Sequence, residues 1–202
     1  MRLEEYSKPK IPVKFSKAAF AYNRGEISEY SMKNKLKNLG WEFLNSGYYS
    51  NVYQNPNKPY ILKVNSKIDT AYAQYVTLVR KIHNKHFPKI SDLKFIELDG
   101  KRYYIYLIEK LEPCRDDIKY DLSLILSKIV DYPGSSFAYF ERTYRNKQEV
   151  LDLLKNQPEL IKVARIIGKY RSKLKVYVEN DLHSGNIMQR VDGTIVITDP
   201  YS

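Results

Sequence analysis

The stretch Glu179-Asn180-Asp181-Leu182-His183-Ser184-Gly185-Asn186-Ile187-Met188, followed by Ile195-Val196-Ile197-Thr198-Asp199-Pro200, restricts the fold more than any other part of the chain. The apolar pairs and triplets Ile187-Met188 and Ile195 to Ile197 read as two short strands around a turn. An acid, Asp181, stands ahead of the first strand. An amide, Asn186, abuts that strand, and a second acid, Asp199, closes the other. Such a hairpin fixes the groups at its two ends relative to each other. Taken singly, each residue also fits a plain structural role: Asp181 as a cap, Asn186 as a turn residue, Asp199-Pro200 as the start of a turn.

The 202 residues suit one or two compact lobes with a sizeable core. Hydrophobic residues make up 43% and charged residues 28%, which excludes a disordered chain. The formal charge of +11 favours acidic partners such as nucleotides, nucleic acid or acidic protein surfaces, and equally fits a solvated coat of lysines. No zinc-finger or aromatic RNA-binding motif occurs, which leaves nucleic acid only a non-specific basic surface. Cys114 is the one cysteine, so no internal disulfide forms, as in a reducing compartment. Three scattered histidines and that cysteine offer no zinc site. No apolar run approaches the roughly 18 residues of a membrane span, and the first residues lack the apolar core of a signal peptide. A soluble, cytoplasmic protein with no membrane partner is expected.

Along the chain, strand signals come first and helix signals later. A helix is expected from Glu26 to Asn38 with Gly40 as its stop. Strands are expected at Trp41 to Leu44, Ser50 to Tyr53 and Tyr60 to Val64. Ala71, Tyr75, Leu78, Val79 and Ile82 share a face of a helix from Asp69 to Ile82. Residues 93–97 and 102–109 read as a hairpin turning at Asp99-Gly100. Glu109 to Pro113 reads as a connector. Helices follow at Asp121 to Val130, Lys147 to Lys155 and Pro158 to Lys173, the last with Pro158 at a tolerated first-turn position. The expected layout is α+β, with a β-rich lobe over 1–110 and a helical lobe over 111–202. A cleft between lobes is a common ligand site.

Two more features carry chemistry. Asn45-Ser46-Gly47-Tyr48-Tyr49-Ser50, where strand turns back on strand, is a small-residue turn whose backbone N–H groups suit phosphate oxygens; it equally suits an ordinary hairpin. Lys63 lies mid-strand between Leu62 and Val64. It either points to solvent or is held inward by an anion.

In this order, the turn, the strand lysine, Asp181, Asn186 and Asp199 resemble the protein-kinase-like fold: a β-rich N-lobe and a reduced helical C-lobe. More narrowly, residues 40–202 are similar to the small early serine/threonine protein kinases of podovirus bacteriophages. The matching features are Leu44 through Tyr53, Leu62-Lys63-Val64, Asp69-Thr70-Ala71-Tyr72, His183 through Met188, and Ile197 through Pro200. The resemblance implies ATP and Mg2+ as cofactors, host proteins as substrates and a bacterial host cytoplasm as the setting. It implies that the backbone around Ser46, Gly47, Tyr48, Tyr49 and Ser50 cradles the phosphates, and that Asn45, Val52, Glu109 and Leu111 also contact nucleotide. Lys63 would neutralise the α- and β-phosphates, and Asp181 would accept or orient the substrate hydroxyl proton. Asn186 and Asp199 would hold the metal.

The chain departs from the pattern in four places. Only Gly47 remains of the three glycines, with Asn45 and Ser50 at the outer positions. Glu179-Asn180 replaces the usual His-Arg, so no phosphate-operated switch is expected there. No Glu in the helix after Lys63 pairs with it, leaving Asp69 or Gln74 as substitutes. The sequence runs three residues past Asp199, so helices between residues 115 and 173 are expected to supply the whole second lobe. The segment Asp181 to Ile187 also resembles aminoglycoside and choline phosphotransferases. Two further alternatives are a toxin-like kinase gated at Ser46 or Ser50 and a non-catalytic, kinase-shaped binder of a host factor.

Overall fold

The computed structural model describes residues 34, 36–46, 50–65, 69–91, 94–98 and 101–202, with the backbone alone at 94–98 and 101–103. The described residues are mixed α and β. They divide into two compact units. One holds the residues up to Asp69 together with Lys89–Lys110; the other holds Thr70–Pro88 with Leu111–Ser202.

The first unit is a five-stranded antiparallel sheet of β1 (Glu42–Ser46), β2 (Ser50–Gln54), β3 (Tyr60–Asn65), β4 (Lys94–Leu98) and β5 (Lys101–Glu109). The order is β1-β2-β3-β5-β4. Leu62 and Val64 alternate into a buried layer with Ile105 and Leu107 of β5, as the period of a strand requires. Gly40 ends the preceding helix at a φ of 79°, where Trp41 N–H reaches back to the Leu36 carbonyl at 2.9 Å. That left-handed position favours glycine. The earlier part of the expected 26–38 helix lies outside the described residues, as does the Asp99-Gly100 turn.

The second unit contains α1 (Thr70–Lys81), β6 (Glu112–Pro113), α2 (Asp116–Asp131), α3 (Phe137–Thr143), α4 (Gln148–Asn156), α5 (Pro158–Arg171), a 3-10 turn (Ser184–Asn186), β7 (Ile187–Gln189) and β8 (Ile195–Ile197). β6, β7 and β8 form a small antiparallel sheet in that order. Leu122, Ile125, Leu126 and Ile129 of α2 and Val163, Ala164 and Ile167 of α5 are fully buried. α2 and α5 approach closely because Gly168 has no side chain: a Cβ there would stand 2.1 Å from the Val130 carbonyl oxygen. No helix among the described residues is long and apolar enough to cross a membrane.

Three expectations change. A linear cut at residue 110 puts α1 in the β-rich lobe, whereas the compact units group Thr70–Pro88 with the helices. The reason is hydrogen bonding: the buried Tyr75 hydroxyl donates to the Ile197 carbonyl, and Ile197 N–H donates to the His86 carbonyl at 3.0 Å. The helical unit is therefore not supplied by residues 115–173 alone. Second, α2 starts at Asp116, five residues before the apolar spacing begins, because Asp116 and Asp117 suit the positive end of the helix dipole and Ile118 is buried. Third, α3 forms on one buried anchor, Phe140, behind a Ser136 cap that accepts from Tyr139 N–H. A single anchor leaves no periodicity to read.

Candidate active site

The segment after α5 closes on the chain end. Glu179 N–H donates to the Ser202 carbonyl at 2.9 Å, and Asp181 N–H donates to the Pro200 carbonyl at 2.9 Å. Asn180 bridges Tyr201 between them. This pairing puts the backbone of Asp181 beside the residues that follow Asp199. The loop between is drawn tight. The Asp181 carbonyl accepts from His183 N–H at 3.0 Å and from the Asn186 amide nitrogen at 2.9 Å. The His183 ring Nδ1 accepts from Gly185 N–H, capping the 3-10 turn. His183 is thus an exposed positioning residue. The Asn186 carbonyl then accepts from the Thr198 N–H at 3.0 Å and from its hydroxyl at 3.2 Å.

The hairpin beneath is in register, Ile187 opposite Ile197 and Gln189 opposite Ile195. Its turn needs Gly193 at a φ of 80°. Ile187, Ile195, Val196 and Ile197 are buried. Asp181, Asn186, Thr198 and Asp199 are half-buried, so the polar groups stand at the edge of an apolar base. The structure therefore brings Asp181, Asn186 and Asp199 into one hydrogen-bonded frame.

Supports that the apolar pattern did not announce hold this frame. The His86 ring Nδ1 shares a 2.7 Å hydrogen bond with the Ile195 carbonyl. Burial holds its basicity below the ordinary histidine value, with Lys85 and Arg190 adding to that effect, so the neutral ring donates from Nδ1. Arg190 donates to the carbonyls of Lys85 and Phe87. The Tyr201 hydroxyl donates to the Ile167 carbonyl at 2.7 Å, and burial pushes it up from the usual phenol range. Tyr75 meets Tyr201 edge-on, with ring centroids 6.1 Å apart. Tyr75 was legible as a buried position of α1. The partner of its hydroxyl was not.

The remaining predicted residues lie in the first unit, apart from Leu111 and Gln74. Lys63 is 8% exposed, so it does not point freely to solvent. It stands opposite Val52 of β2 and Tyr106 of β5 in the ladder. Directly opposed side chains share a face. Asn45 pairs with Val52 across a bulge, and its side chain accepts from Ser46 N–H at 2.8 Å. Ser50 is half-buried opposite Asn65. Gly47, Tyr48 and Tyr49 lie outside the described residues. Glu109 accepts from Lys89 N–H at 2.8 Å, and the two units part between Lys110 and Leu111. Asp69 accepts from the Asn65 amide at 3.4 Å. The Gln74 side-chain oxygen faces the Tyr170 hydroxyl at 3.4 Å, which directs it to α5.

No curated protein matches the chain significantly. Residues 27–202 match a family described as Bacteriophage T7 protein kinase, a span that takes in the sheet, α1 and the whole Asp181–Asp199 frame. With a match over that span, the chain belongs to the bacteriophage T7 protein kinase family.

Proposed function

We propose that the protein is an ATP-dependent serine/threonine protein kinase of two-lobed, kinase-like architecture that modifies proteins of an infected bacterium. The observation that carries this reading is the frame itself. One bond from Asn186 to the Asp181 carbonyl and two from Thr198 to the Asn186 carbonyl hold the acid and the amide to the strand that leads to Asp199. The buried Lys63 and the family membership support it.

The donor set fits Mg2+. The Asn186 nitrogen is committed to Asp181, which leaves its neutral oxygen as the group it presents. With the Asp199 carboxylate this gives hard oxygen donors. Among the described residues no cluster of three or more His, Cys, Asp or Glu forms a cage of its own. Mg2+ usually takes one or two carboxylates and completes its shell with phosphate oxygens and water, so the small donor set is appropriate. When bound, the ion would supply charge neutralisation on the phosphates.

The chain's own residues do the rest. Lys63, desolvated in its strand, neutralises non-transferring phosphates, and desolvation strengthens that attraction. The backbone from Ser46 to Ser50 donates to phosphate oxygens. Asp181 holds the substrate hydroxyl in line and accepts its proton. Phosphoryl transfer asks mainly for placement and electrostatics, which a pre-bonded frame provides.

Labelled ATP and magnesium, offered with bacterial lysate in one tube and with amino-sugars and choline in another, test the reading. Label on lysate proteins, recovered as phosphoserine or phosphothreonine and absent with Asp181→Ala, is the expected result. Label on the small molecules alone would make the protein a small-molecule phosphotransferase. No label in either tube would leave a kinase-shaped binder.

A further inference from the structure

The position ahead of Asp181 carries an amide whose every polar atom is engaged. The Asn180 side-chain nitrogen donates into three acceptors on α2: the Ser127 carbonyl at 3.0 Å, the Ser127 hydroxyl at 2.9 Å and an Asp131 carboxylate oxygen at 3.0 Å. Its side-chain oxygen accepts from Leu182 N–H at 3.2 Å. It therefore spans Asp181, gripping α2 on one side and the next peptide on the other. The same Asp131 oxygen pairs with the Arg171 guanidinium at 3.0 Å, at the end of α5. Both members of that pair are largely shielded, with 22% and 29% of their side chains exposed. In that setting a charged, shared acceptor holds its donors more strongly than a neutral one.

We infer that Asn180, seated on Asp131 and Arg171, is the positioning residue that fixes Asp181 for phosphoryl transfer. The inference rests on the function proposed above. Asn180 meets no substrate; it acts through the two peptides that flank Asp181. A clamp of this kind holds the catalytic segment with protein groups alone. It needs no added phosphate at a position where the chain carries no arginine.

The choice of amide is chemically specific. Asn180→Asp keeps the shape but turns the donor into a second carboxylate, facing Asp131 and a carbonyl. Lone pairs would meet lone pairs, and Asp181 would shift with its neighbour. Exchanging the groups as Asn180→Asp with Asp131→Asn restores a donor–acceptor pair, since the new amide at 131 donates to the new carboxylate at 180.

The experiment measures steady-state phosphate transfer and amide exchange over residues 181–187 in the full chain and its variants. Asn180→Asp should lower kcat about 100-fold, the scale of a small misplacement of a reacting group, with KM for ATP within about twofold. Exchange at 181–187 should quicken, and that of α5 should not. The double variant should recover kcat to within about fivefold of the parent and restore slow exchange. Asn180→Asp retaining kcat within about threefold, or a double variant no better than the single, would overturn the inference. If Asn180→Asp does not fold, Asp131→Asn alone serves, with about a tenfold loss in kcat expected; unchanged kcat and exchange would be equally fatal. If the parent transfers no phosphate, the kinase reading falls, and exchange still decides whether Asn180 holds the loop: unaltered exchange overturns the clamp, faster exchange sustains it.

Discussion

Two of the antiparallel strand pairs, β1–β2 and β7–β8, have different surroundings. β1 and β2 lie at one end of the five-stranded sheet, and every residue of β1 is exposed, Phe43 and Leu44 among them. One side-chain bond there is local, from Ser46 N–H to Asn45. β7 and β8 instead sit on a buried base. Their flanks are tied to α1 by Tyr75, to the His86 segment by backbone and ring, and to α2 by Asn180. The difference teaches where precision is built. The groups to which the proposed function assigns a cation and a reacting hydroxyl stand on tertiary bonds. β1, to whose end the proposed function assigns the phosphates, stands on a sheet edge, where a strand is held from one side.

The comparison breaks first at the acids. On the proposed roles, Asp199→Ala or Asp181→Ala should lower phosphate transfer by about 10³-fold or more, the one by losing a metal ligand and the other by losing the group that takes the hydroxyl proton. Transfer of labelled phosphate checks this, and turnover surviving in either variant would remove the frame from the chemistry. Lys63→Ala should cost about 10²-fold, seen as a loss of kcat/KM for ATP, because one cation of several is lost. A smaller change than that from Phe43→Thr, on the exposed edge, is expected at the same assay.

Stability sharpens the contrast. Gly168→Ala forces a methyl group into the Val130 carbonyl and should lower unfolding free energy by about 3 kcal/mol in urea titration. An unchanged midpoint would mean that α2 and α5 do not depend on that approach. Tyr75→Phe keeps the buried ring and removes the bond to Ile197, for a loss of about 1 kcal/mol. On the β1 edge, Leu44→Thr should stay within about 0.5 kcal/mol of the parent.

The smallest effect concerns pH. Burial lowers the folded-state pKa of His86 below its unfolded value, so the unfolded chain binds the extra proton first. The contribution of the neutral ring is complete above the unfolded value near 6.5 and is lost as pH falls below it towards the folded value. His86→Gln should flatten the fall in unfolding midpoint on going from neutral to mildly acidic buffer. Equal slopes in parent and variant would take His86 out of the account. The hydrogen bond to the Ile195 carbonyl and, to a lesser extent, Glu159 oppose that lowering.

The elements were largely legible. β3, α1, α5 and the β7–β8 pair follow from alternation or from three-to-four spacing of apolar residues, because burial of a face is a local demand that each segment states for itself. The placement of Asp181, Asn186 and Asp199 about one loop and hairpin was legible for the same reason: a short loop and a short hairpin leave few ways to place their ends. What was not legible depended on partners distant in the chain. Asn180 read as a departure and is a clamp, because Ser127 and Asp131 lie about fifty positions away and carry no apolar signature. Apolar spacing leaves the allegiance of α1 open, because an amphipathic face says that it is covered and not by what.

Order and spacing along the chain thus determined which segments are strands or helices and which residues gather at the closing hairpin. Tertiary structure alone decided that Lys63 is buried, that α1 groups with the helices, and that Asn180 is seated on a carboxylate balanced by Arg171. The reason is physical. Periodicity records how much of a segment is hidden from water, whereas a hydrogen bond is defined by the direction and identity of two groups that meet only after the chain has folded.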